Sequence, residues 1–405
     1  MTRCILIYLL LCLLTTSGYA QSIQYGYFRK VSANDAGSIH VGIATAEQEY
    51  LVFETLYVDG RKVSLAHDSG INDPKTGKKR EWIYFPPRTK PGDVLWYYFT
   101  EPIVKPSRAT ELIIKFAKTP VKPVEVKIED EVGQFLTTVV EPKPILLSVS
   151  YIGFSNDFSK VYIYLHNKGD TDFYINSVNL HSENINEVLK GSLKLQSGRK
   201  VCIPLKLPRA VYKGKLFYVT VGTKEGLRFG ASVRAFNNFP ILSQSGPLDG
   251  VEFDDDGLDF KEIVSHYGLV HDQFDIVGTR IITNLRDSKY LKPTQMSYYC
   301  CNQGLIKYGA PYFGELCDAY LLHTQPSEVD CLGRYNEKDF HYTQAKTRYI
   351  KECVEPNRLF AICETSHAYG HFYKEMFPEE IRLRAYYNIS RGAKGLFWRL
   401  GYLGK

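Results

Sequence analysis

The residues best suited to bond-breaking chemistry are carboxylates at the ends of apolar runs. Glu364 closes the run Arg358-Leu-Phe-Ala-Ile-Cys-Glu364. An acid held at a strand end can transfer a proton or attack as a nucleophile. Asp272 closes Gly268-Leu-Val-His-Asp272 in the same way, and these two acids are the catalytic candidates. Asp318 opens Asp318-Ala-Tyr-Leu-Leu-His323 and, with His323 and His367, supplies candidate polar contacts to a substrate. Tyr299 and Trp398 are aromatic faces that can stack on a ring. Each has a plainer rival reading: Asp272 as a turn cap, Glu364 as the start of a polar loop, the aromatics as core.

Metal chemistry finds little support. Asp254-Asp-Asp256 lacks the ligand spacing of a calcium loop and suits a solvated helix start. His323, His367 and His371 have no clear third ligand. Of nine cysteines, Cys4 and Cys12 lie in the leader described next, Cys202 stands alone, and the rest follow residue 299. None forms a CxxC pair or a zinc spacing. No metal and no cofactor is expected.

The elements that must position these residues follow a leader. Arg3, an apolar run from Ile5 to Leu14, and small residues at Gly18 and Ala20 make residues 1–20 a signal peptide cleaved near Ala20. The protein is therefore expected to be secreted or periplasmic, with no transmembrane segment in the mature chain. Length 405 implies two to four domains. A net charge of +6 with scattered basic residues gives no polybasic patch and so no nucleic-acid partner.

Residues 21–238 read as all-β, because runs of Val, Ile, Tyr and Phe recur between Gly, Pro, Asn and Asp. Two stretches follow one plan, each the size of an immunoglobulin-like sandwich, giving modules at 21–140 and 141–238. Val140-Glu-Pro-Lys-Pro-Ile145 links them as a stiff, extended segment. From Phe239 onward strands alternate with helices, the mark of a parallel sheet with covering helices. The last helix, Glu379 to Arg391, is predicted to pack through Ile381, Ala385, Tyr386 and Ile389 and to stop at Gly392.

Glu379-Glu-Ile-Arg-Leu-Arg-Ala-Tyr-Tyr-Asn-Ile-Ser-Arg-Gly-Ala-Lys-Gly-Leu-Phe-Trp-Arg399 resembles the last helix and strand of bacterial glycoside-hydrolase-like TIM barrels. Arg358–Glu364 is similar to their seventh strand. In that group, tandem immunoglobulin-like modules often precede the barrel. The resemblance implies two β-sandwiches followed by a (β/α) barrel-like α/β domain at 239–405. About 165 residues remain there, against ~250 for a full barrel, so the barrel is expected to be incomplete. It also implies carbohydrate as the partner, with acids at two strand ends. Where similar proteins show Asp-Glu-Pro, this chain has Asp272-Gln273, and an amide cannot exchange a proton as a carboxyl group does.

Three functions remain open on this basis. The first is a secreted glycoside hydrolase using Glu364 and Asp272. The second is a non-catalytic glycan-binding protein on a degenerate barrel. The third is a cell-surface adhesion protein whose sandwiches do the binding.

Overall fold

The computed structural model describes residues 22–237 apart from 32–34, 46–50, 64–70, 73–78, 81–90, 100–102, 105–108 and 182–184. Beyond these it describes 241–243, 250–253, 276–279, 296–301, 314–315, 318–322, 349–364, 366–369, 372–375 and 378–399. The leader, Asp254-Asp-Asp256, Asp272, Gln273, His323 and His371 lie outside the described residues.

The chain is mostly β-sheet. Its first unit contains β1 (Ser22–Arg29), β2 (Ser38–Ala44), β3 (Leu51–Val58), β4 (Arg61–Val63), β5 (Val94–Phe99), β6 (Ala109–Phe116), β7 (Val124–Asp130) and β8 (Phe135–Val140). One antiparallel sheet runs β1-β2-β6-β5 and a second runs β8-β7-β3-β4. Alternation decides which side chains meet. Ile39, Val41 and Ile43 of β2 and Leu112, Ile114 and Phe116 of β6 point inward, against Leu56, Val58, Val126 and Ile128 of the other sheet. Each such aliphatic chain contributes ~1.5–3 kcal/mol by leaving water.

The same alternation sends His40, Glu111 and Lys115 to the opposite face. That face is also buried: all eight residues of β6 are shielded from solvent. A strand sealed on both sides means that something packs outside the sandwich. Register places Tyr25 beside Gly42, Tyr27 beside His40 and Arg29 beside Ser38 on this outer face.

The second unit contains β9 (Leu147–Phe154), β10 (Lys160–Asn167), β11 (Phe173–Leu180), β12 (Ile185–Leu195), β13 (Lys200–Lys206), β14 (Leu216–Thr223) and β15 (Arg228–Arg234). Sheets β9-β10-β13 and β12-β11-β14-β15 share a core built on Val161, Ile163, Leu165, Val178, Leu180, Val219 and Val221. The 141–146 link is pinned at both sides. Ile145 N–H donates to Phe28 O at 3.2 Å, and Lys168 N–H donates to Leu146 O at 2.7 Å. The two units also meet ring to ring: Tyr25 stacks on Tyr218, centroids 6.0 Å apart and planes 9° apart. Two glycines make the room. A methyl group on Gly42 would stand 1.9 Å from the Tyr218 hydroxyl, and one on Gly230 would stand 2.3 Å from Tyr25 Cε1.

The third unit is a parallel sheet of β16 (Ile241–Ser243), β17 (Gly250–Phe253), β18 (Ile276–Thr279), β19 (Met296–Cys301), β20 (Ala319–Leu322), β21 (Arg358–Glu364) and β22 (Leu396–Arg399). Its hydrogen-bonded order is β16-β22-β21-β20-β19-β18-β17, every pair parallel. The first strand therefore pairs with the last, and the two ends of the path, β16 and β17, come within 8 Å between Cα atoms. Among the described residues, α-helix is confined to 349–354 and α1 (Pro378–Ser390).

Helix α1 departs from its expected packing. Tyr386 and Ile389 are exposed, whereas Asn388 is buried and Ala385 packs on Ala393 and Leu396. Gly392, at φ +101°, ends the helix as expected, and Ala393 N–H turns back to Asn388 O at 3.0 Å. That return accompanies an inward Asn388, with Tyr386 and Ile389 of the expected stripe facing outward. Periodicity counts only apolar residues and could not register a buried asparagine. Ile389→Asp should accordingly change the unfolding free energy by less than ~0.5 kcal/mol in a denaturant titration, as surface changes do. A loss of several kcal/mol would mean that this face is covered.

Candidate functional site

Strand direction sorts the expected site residues. Glu364 is the last residue of β21, beside Arg399 in register, and Trp398 lies beside Cys363 and Ser243. These form the C-terminal edge of the parallel sheet. Tyr299, in β19, pairs with Tyr320 and through it stands at the level of Leu359, well below that edge. His367 is in a short strand, Ser366–Tyr369, opposite Lys374.

Asp318 falls at the opposite edge. It directly precedes β20 and is buried; its carbonyl accepts from Arg358 N–H at 3.1 Å. Its Oδ2 is 3.3 Å from Arg234 Nε of the second sandwich. Arg358 in turn donates to Phe236 O. Six residue steps along β21 lead from Arg358 to Glu364, roughly 20 Å at ~3.3 Å per residue. Glycosidase carboxyl pairs stand within about 10 Å, so Asp318 and Glu364 cannot flank one glycosidic bond. Asp318 instead joins the sheet to the second sandwich.

A cluster that the sequence did not announce lies where the three units meet. Glu315, buried, reaches the outer face of the first sandwich. Its Oε1 is 2.6 Å from Arg29 Nη1 and 3.1 Å from His40 Nε2, and its Oε2 is 2.7 Å from Lys115 Nζ. His40 Nδ1 is 2.9 Å from Glu111 Oε1, which also accepts from Tyr25 OH at 3.1 Å. Ser232 Oγ of the second sandwich donates to Glu111 Oε2 at 3.4 Å. Arg29 Nη2 donates to the carbonyls of Glu352 and Cys353 at 2.9 and 3.2 Å. Tyr27 covers His40, ring centroids 5.1 Å apart. The available signal was the run Glu111-Leu-Ile-Ile-Lys-Phe116, in which charges recur on one face of an apolar strand.

Both ring nitrogens of His40 face carboxylates, which can only accept, so the geometry suits imidazolium. Burial opposes that charge, but Glu315 and Glu111 outweigh it and raise the His40 pKa above its ordinary value. Burial likewise opposes the Glu315 charge, and Lys115, His40 and Arg29 prevail, holding the carboxyl well below its usual range. The signs give opposite limbs. The Glu315 contribution is present above its unfolded pKa of 4.5 and fades as pH falls through the lower folded value. The His40 contribution is complete below its unfolded pKa of 6.5 and fades as pH rises through the higher folded value. Stability supplied here should therefore be fullest between pH 4.5 and 6.5. In urea titrations across pH, His40→Asn should flatten the alkaline limb; an unchanged limb would place its origin elsewhere.

Beside this cluster is a cavity of about 410 Å³, walled by all three units. Among the described residues no group of His, Cys, Asp and Glu is arranged to hold a metal, and no helix is long and apolar enough to cross a membrane.

No protein-family model matches the chain, and no curated protein does. Many solved structures show a low-scoring likeness, and three serve as examples. The CupB2 chaperone of Pseudomonas aeruginosa aligns at 11% identity over 54% of this chain and 100% of its own, with a TM-score of 0.18. A beta-glucuronidase of Bacteroides uniformis aligns at 8% identity over 90% of this chain, with a TM-score of 0.29, and this chain spans 49% of it. A GH2 beta-galacturonidase from Eisenbergiella tayi aligns at 11% identity over 91% of this chain and 82% of its own, with a TM-score of 0.23. Scores of this size establish neither a shared fold nor a shared activity.

Proposed function

We propose that this is a secreted carbohydrate-active protein, with sandwich modules at 21–140 and 141–238 carrying a barrel-like domain at 239–405 that acts on or binds a polysaccharide. One observation carries the reading. The parallel strands run in chain order, with β16 beside β22, and this cyclic order leaves Glu364 at the C-terminal edge. Barrel enzymes build their sites at that edge. Glu364 is the catalytic acid of this reading and Asp272 its partner; Trp398, on the neighbouring strand in register with Cys363, is the aromatic assigned to a sugar ring. The sequence before Gln21 supports export.

Binding without hydrolysis is the second reading, favoured by Gln273. Incubating the full mature chain with a panel of polysaccharides and aryl glycosides, alongside a glycan array, separates the two. Release of reducing ends supports the hydrolase; array binding alone supports the binding protein. A chain that neither cleaves nor binds any glycan overturns both.

A further inference from the structure

We propose that the cavity at the meeting point of the three units is a binding site for a small neutral polyol, of the size of one sugar ring. The proposal is independent of the sheet edge that carries Glu364. At about 410 Å³ the cavity is within the range of small-molecule sites.

Wall charge selects the class of ligand. Arg29, Lys30, His40 and Lys168 contribute positive charge to the lining. Glu111, Glu315, Glu352 and Glu355 contribute an equal number of negative charges. A balanced wall attracts neither anion nor cation. The cations are also engaged already: Arg29 and His40 with Glu315, Lys30 with Thr119 Oγ1 at 3.0 Å, and Lys168 with Glu355 Oε2 at 2.8 Å.

Glu355 is the group left wanting. It is 2% exposed and lines the cavity. Its Oε2 takes Lys168 and, at 3.2 Å, the Ser148 hydroxyl of β9. Its Oε1 is buried with no hydrogen-bond partner. Leaving a buried acceptor without a donor is costly, and a ligand hydroxyl would supply that donor. Ile113, on the outer face of β6, and Leu146 add apolar wall, which suits the C–H face of a ring. A molecule carrying hydroxyls on one side and C–H on the other matches both surfaces. Because the walls come from all three units, occupancy would hold them together and raise the melting temperature by mass action.

The test is calorimetric titration and thermal melting of the full mature chain. The probes are D-glucose, D-galactose and myo-inositol, with sodium acetate and tetramethylammonium chloride as charged comparators. Glu355→Gln removes the charge at constant shape. Leu146→Trp closes the cavity from a wall position that is 48% exposed, where folding is not at stake. The expected result is saturable binding of at least one neutral probe, a raised melting temperature, and a loss of ~10-fold or more in affinity in both variants. Three results would overturn the proposal: no saturable binding of any neutral probe to the wild type, preference for a charged comparator, or binding that Leu146→Trp leaves unchanged.

Discussion

Glu315→Ala will lower the stability of this protein by ~3–5 kcal/mol. The reason is what stays behind. Arg29 and Lys115 have side chains only 12% and 2% exposed, and both lean on Glu315. His40 shares the same oxygen as Arg29. With the carboxylate gone, these cations remain in an interior where each lost its solvation on folding. An intact buried pair is a weak stabiliser, but breaking one is costly, because an uncompensated charge is left buried. The loss should appear as a lower denaturant midpoint, and proteolysis should then separate the sheet unit from the first sandwich. Glu315→Gln keeps the volume and some acceptor capacity, so it should cost less. A change under ~1 kcal/mol for the alanine variant would mean that another carboxylate takes over the cations.

Glu364→Gln should reduce hydrolysis by about 10²–10⁴-fold on any glycoside that the wild type cleaves. The amide preserves shape but can neither transfer the proton nor supply the negative charge that an oxocarbenium-like transition state requires. Binding of the same glycoside should persist, so the loss belongs in kcat rather than KM. Hydrolysis that survives the change removes Glu364 from the chemistry. Asp272→Asn, measured beside it, reports on the expected partner acid.

Much of the β content could be read in advance, for reasons that differ by element. Arg358–Glu364 was predicted with its observed bounds, because an apolar run bracketed by charged residues admits little else. Gly250–Phe253 and Ile276–Thr279 were missed. Four-residue strands in a parallel sheet show no alternation and give period-based reasoning nothing to count. Asp318 was associated with a strand correctly, and its place at the start of that strand already put it, in a parallel sheet, at the edge opposite Glu364. The Glu315 cluster assembles residues from position 25 to position 353, whose proximity no local pattern encodes. Only Glu111 and Lys115, alternating with core residues of β6, hinted that a second surface would cover that strand.

The tyrosine pair across Gly42 and Gly230 has a mechanical consequence. Two sandwiches on a short link would normally swivel, since interfaces between domains are modest and the default is relative motion. Here a hinge would have to pull Tyr25 off Tyr218 and free Ile145 from Phe28 at once. The two modules therefore act as one stiff lever. While both contacts hold, a displacement of one module carries the other with it.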